Sequence, residues 1–213
     1  MHLRVLLLFL AALLCLPPLL HGAVGAADPW LEMEKGLQLC GVEINCYRSC
    51  CFISREERER LISAGAVPLN IDPQAVPDCR CSMRDGWAND EILLEIYGAD
   101  RGACSRLWRQ FAAIAEGPAG AADRVWCVEG SHEAGGELTA LGEALIRALG
   151  GQLRRVDTHP RMVQLLAELP WAGAGFALDE GPVNLTLELY EDAYLERVRI
   201  RLGIPVLFSF SNG

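Results

Sequence analysis

The sequence predicts an α+β protein in which a disulfide-stapled helical N-terminal region precedes a cysteine-free unit of two helices on a small antiparallel sheet. Three observations lead there. All nine cysteines lie before residue 128. Up to that point apolar residues recur mainly at helical spacing. Beyond Val183 they switch to strict alternation, the period of a half-buried strand. The expected divisions are 1–26 for a signal peptide, 27–128 for the cysteine-rich, mainly helical region, and 129–213 for the α+β region.

The first 26 of the 213 residues have the order of a secretory signal. Arg4 gives a basic start, residues 5–16 are apolar, and small residues follow at Ala23, Val24, Gly25 and Ala26. The apolar run is shorter than the roughly 20 residues a membrane span needs. No stable membrane insertion is expected once the signal is cleaved. Removing Arg4 takes the formal charge from −9 to about −10 (−9 − 1). A nucleic-acid partner is therefore not expected, because binding one needs a basic surface. At 51% hydrophobic residues, the chain is also too apolar for an acidic disordered tail. Lys35 is the only lysine. With heavy use of Ala, Leu, Gly and Arg, this makes a bacterial periplasm or exterior the expected location.

The elements follow in order. Ser54, with Glu57 three residues on, reads as a capping box that opens a helix over 55–60 and ends before Gly65. Phe52, Leu61 and Ile62 are its expected core contacts. A proline-rich loop leads to Cys79-Arg80-Cys81. Asn89 is expected to cap a short helix carrying Ile92, Leu93 and Ile96, closed by Gly98. A helix begun by Asp100 places Cys104, Leu107, Trp108, Phe111 and Ile114 on one face, so Cys104 is positioned to staple it to a neighbour. Val125 to Val128 reads as a short strand. Leu138, Leu141, Leu145 and Leu149 line a helix ended by Gly150, and 152–157 reads as a strand. A second helix, capped by Thr158, is expected from Met162, Leu165, Leu166 and Leu169. The alternation of Leu185, Leu187 and Leu189, then of Val198, Ile200 and Leu202, predicts a hairpin with one buried face. Its outer face would set Glu188 against Arg197, Arg199 or Arg201. A last strand is expected over 206–210.

Cys15 leaves with the signal, so eight cysteines remain: Cys40, Cys46, Cys50, Cys51, Cys79, Cys81, Cys104 and Cys127. An even count in an exported chain points to four disulfides of unassigned pairing, each contributing about 2–4 kcal/mol. Their order, C, C, CC, CxC, C, C, resembles the framework of plant lipid-transfer and seed-storage proteins. That resemblance implies a helical bundle around an apolar tunnel and carriage of a lipid or small apolar ligand. The stretch NCYRSCCFISREERERL resembles the bacterial CxxCxxCC zinc- or iron-chelating proteins, whose double cysteine precedes an acidic helix. If residues 46–51 were helical, Cys46 and Cys50 would share a face. With Cys51, Cys79 and Cys81 they could then ligate a metal.

Catalytic signatures are missing. His132-Glu133 has Gly136 where a zinc protease helix needs its second histidine, and Ser131 lies in no nucleophile elbow. His159 reads as a surface residue. The pairs Asp179-Glu180 and Glu191-Asp192 read as turns. No phosphate or dinucleotide loop occurs, and no cofactor is implied. Trp87 and Trp171, in turn-like surroundings, are the candidates for a contact surface. The expected function is an exported, disulfide-rich binding protein without catalytic activity whose partner is a protein or small ligand. Metal chelation and apolar-ligand carriage are the alternatives.

Overall fold

Two β-ribbons meet edge to edge at the strand Val125–Glu133 and form one antiparallel sheet of eight strands. The computed structural model describes residues 28–65, 79–85, 91–114, 124–133, 135–173 and 175–205. In chain order the elements are α1 (Pro29–Leu39), β1 (Glu43–Ser54), α2 (Arg55–Ser63), β2 (Arg80–Asp85), β3 (Glu91–Gly98), α3 (Arg101–Ile114) and β4 (Val125–Glu133). They continue with α4 (Leu138–Ala148), β5 (Gln152–His159), β6 (Met162–Glu168), β7 (Phe176–Leu178), β8 (Gly181–Val183), β9 (Leu185–Asp192) and β10 (Arg197–Ile204). The sheet order is β2-β3-β1-β4-β10-β9-β6-β5, and β7 and β8 form a separate small hairpin.

This overturns the expected fold class. Among the described residues, the N-terminal region is not a helical bundle, since it supplies four strands of the sheet, and the cysteine-free part holds one helix rather than two. The helical tunnel implied by the lipid-transfer resemblance is likewise not the fold observed. Two short apolar runs account for much of the difference. Ile92, Leu94 and Ile96 are buried on alternate positions of β3. In β6, Val163, Leu165 and Ala167 are buried while the intervening residues are only partly so. Four to eight apolar residues fit either period, and backbone pairing with neighbouring strands decides for the sheet. The expected boundary between 128 and 129 falls within β4, which pairs with β1 on one side and β10 on the other.

Other elements form as their sequences require. Ser54 Oγ accepts from Glu57 N and the Glu57 carboxylate accepts from Ser54 N, completing the capping box of α2. Asp100 caps α3 through its side chain and Ala103 N. Gly150, at φ +72°, ends α4 in the left-handed region that a glycine enters without cost. The hairpin β9–β10 forms in the expected place, with Arg201 opposite Glu188. The signal segment, Trp87 and the expected strand at 206–210 lie outside the described residues.

All four helices contribute to one core on one face of the sheet. Trp30, Met33 and Leu37 of α1, Leu61 of α2, Phe111 of α3 and Leu145 of α4 are fully or almost fully buried in it. Trp30 and Trp108 meet Trp126 of β4 edge-on at 4.6 and 6.0 Å between ring centroids, and the Arg124 guanidinium lies 3.7 Å over the Trp108 ring. The helices α1 and α4 approach so closely at Gly36 that any β-carbon there would strike Leu149. The opposite face of the sheet carries a row of charged and polar side chains.

Candidate functional site

Alternation along the strands decides which side chains reach that second face. It collects Ser82 from β2, Glu95 from β3, Arg48 from β1, Glu129 from β4, Arg201 from β10, Glu188 from β9 and Gln164 from β6. These seven join into a transverse ribbon. Ser82 donates to Glu95 at 3.3 Å, and Arg48 lies 3.5 Å from Glu95 and 3.7 Å from Glu129. Arg201 stands 3.3 Å from Glu129 and 3.8 Å from Glu188, which accepts from Gln164 at 3.2 Å. The carboxylates of Glu95 and Glu188 are nearly buried, so each guanidinium offsets a real desolvation cost.

Above this ribbon a cleft of about 230 Å³ opens over β4, β10 and β9. Arg197, Arg199 and Arg201 floor it from alternate positions of β10. Asn45 and Ser131 border one side, Tyr190 and Leu195 the other. Asn45 is the extra residue of a bulge between Ile44 and Cys46, which turns its amide toward Ser131 at 3.4 Å. Ser131 Oγ also accepts from Arg197 at 3.2 Å. Both contacts use Ser131 Oγ as an acceptor, and Arg197 also reaches the Glu43 carboxylate at 2.7 Å.

The β9–β10 turn overhangs the cleft. Asp192 accepts from Tyr194 N at 3.0 Å and Leu195 N at 3.2 Å, and its other oxygen meets Arg199 at 2.8 Å. Desolvation is the largest single influence and works to raise the Asp192 carboxyl, but the two amide bonds and the Arg199 charge together outweigh it and hold the group below its ordinary value. On this tied turn Tyr194 is 99% exposed and Leu195 58%. Glu196 takes a positive φ of 50° to bring the chain back into β10.

The residues singled out from sequence fall elsewhere. Trp171 packs against the core, and its indole donates to Leu149 O at 3.1 Å, bracing the end of α4. His132 contacts Glu133 O, and His159 is exposed at the far end of β5. Among the cysteines, β1 replaces the helix that the metal reading assumed. Cys46 and Cys50 are then about 13 Å apart along a strand, beyond reach of a shared ion. Parity also sends Cys51 to the helix-covered face and Cys50 to the other. A helix, α2, does follow the double cysteine, but it is not acidic, since its three glutamates are matched by three arginines. Among the described residues no group of three or more His, Cys, Asp or Glu side chains could hold a metal. Burial is the main force pushing the Cys46 thiol up, and it pushes Cys81 up to about 12. None of the eight sulfurs is at disulfide distance from another, although one cysteine pair is close.

No protein-family model matches the chain, and no curated protein matches it. Among the described residues, no helix is long and apolar enough to cross a membrane. The cleft and its turn escaped sequence reasoning because Asn45 and Ser131 lie 86 positions apart and meet only through the β1–β4 pairing. The alternating arginines of β10 were the one signal available.

Proposed function

We propose that the protein is an exported, disulfide-containing binding protein without catalytic activity, and that the β9–β10 turn and the adjoining cleft are its contact surface. One observation carries the reading: Tyr194 and Leu195 are held out in water by a turn whose backbone is tied to Asp192. Apolar exposure on a fixed support costs little further ordering on binding, and a tyrosine with open surroundings is a common anchor at interfaces. Beside it, Arg197 and Arg199 offer donors and Tyr190 an aromatic wall, which suits a protein segment that presents an apolar side chain next to polar groups. Export is supported by the leader-like residues 1–26 and the even count of cysteines that follows them.

The test is a photo-reactive phenylalanine analogue placed at Tyr194 in the producing cell, with a control at exposed Glu59 on α2. A discrete adduct from position 194 that is absent from position 59 is the expected result. Equal adducts, or none, would count against this surface. Steady turnover of a substrate that a single histidine or carboxylate substitution abolishes would refute the non-catalytic reading.

A further inference from the structure

We infer that Cys79 and Cys104 bond to each other as a disulfide that fastens α3 to the start of β2. The inference rests on the exported reading only for where the bond forms. The pairing itself comes from geometry.

Cys104 occupies the inward face of α3 and is wholly buried, and Cys79, the residue before β2, is 3% exposed. Both belong to the same hydrophobic core. Their thiols share a hydrogen bond. A thiol is a weak donor, and Cys79 Sγ also reaches only the carbonyl of Arg80, at 4.0 Å, so two thiols in this apolar setting gain little from their hydrogen bonds, whereas the same positions suit a covalent link.

The co-reactant is a small or protein disulfide of an oxidising compartment. The Cys79 thiolate attacks one sulfur of that disulfide and releases the other as a thiol after it takes up the Cys79 proton. Cys104 then attacks the Cys79 sulfur of the mixed disulfide, and its proton leaves with the second thiol. One disulfide is reduced to two thiols while Cys79 and Cys104 lose two hydrogens between them, so the exchange balances. It takes place before the two residues are sealed in the core.

The rival for this bond is Cys81, two residues from Cys79. Cys81 is held in β2 opposite Ile96, and the hydrogen bond of Cys104 is with Cys79. Trypsin distinguishes the two because Arg80 lies between them. Residues 61–80 contain Cys79 as their one cysteine, 81–84 contain Cys81, and 102–106 contain Cys104.

The experiment refolds the full chain from its reduced state with oxidised and reduced glutathione, blocks remaining thiols with excess N-ethylmaleimide near neutral pH, and maps tryptic peptides with and without reduction. The expected result is a peptide of 61–80 joined to 102–106 that reduction splits. Recovery of both peptides alkylated, or of either joined to a different cysteine, overturns the inference. A parallel map of protein recovered from producing cells separates the two claims. The same linked peptide there supports both. Free Cys79 and Cys104 in the cell, with the link formed on refolding, would refute export while the pairing stands.

Discussion

The indole Nε1 of Trp30 donates to the carbonyl of Cys127 at 3.1 Å, joining positions 97 residues apart. The same N–H lies 3.1 Å from the carbonyl of Arg48. One side chain of α1 therefore closes over the β1–β4 seam from above. Replacing Trp30 with phenylalanine keeps most of the ring but leaves both buried carbonyls without this donor. We expect a loss of about 1–3 kcal/mol in urea unfolding, with a largely unchanged slope.

Gly36 gives a test of the α1–α4 crossing. Alanine would raise helix propensity by about 1 kcal/mol in an open helix. Here its β-carbon would meet Leu149 Cγ at 2.7 Å. Overpacking costs about 1–3 kcal/mol, so Gly36→Ala is expected to lower the unfolding midpoint despite the better propensity. A midpoint that rises would show that the helices can separate there.

Arg201 lies between Glu129 and Glu188 on the open face. Arg201→Met leaves two carboxylates facing each other across a strand. We expect a cost of about 1–3 kcal/mol. A double-mutant cycle with Glu188→Gln should show coupling of about 0.5 kcal/mol or more. Additive effects within error would mean the ribbon is solvated rather than cooperative.

Asp192 ties the pH dependence of the contact surface to the turn. Its carboxyl is held below its ordinary value in the folded chain, so the support it gives is fully present above that ordinary value and is lost as pH falls through the lowered one. The amides of Tyr194 and Leu195 should become faster-exchanging only in strongly acidic solution. Asp192→Asn, which keeps an acceptor but loses the negative charge that faces Arg199, should weaken that protection and remove its acid dependence. Hydrogen exchange at these two amides is the measurement.

Much of this could be read from residues alone, though unevenly. The α2 capping box, the faces of α3 and α4 and the β9–β10 hairpin were legible because each is settled by local chemistry within a dozen residues. β3 and β6 were not legible as strands. Leu165 and Leu166 satisfy a helical spacing as well as an alternating one, and only the pairing of Leu165 with Val156 and Leu187 on either side resolves it. β1 was hidden for a similar reason, because a cysteine pair four residues apart reads as one helical turn until the backbone is extended. The cleft was invisible because its walls come from β1, β4 and the β9–β10 turn.

The central place of β4 has a consequence for how the chain matures. Its partner on one side, β1, is threaded early, but the partner on the other, β10, is the last described strand to be delivered. Until β10 arrives, the β4 edge exposes a row of unclaimed amides and carbonyls. A polypeptide passing through a translocation pore would hold this seam open for almost the whole transit, at the stage when a holding chaperone has most to protect. Stalling the chain before residue 197 should therefore leave a species prone to self-association, and release of the final segment should rescue it.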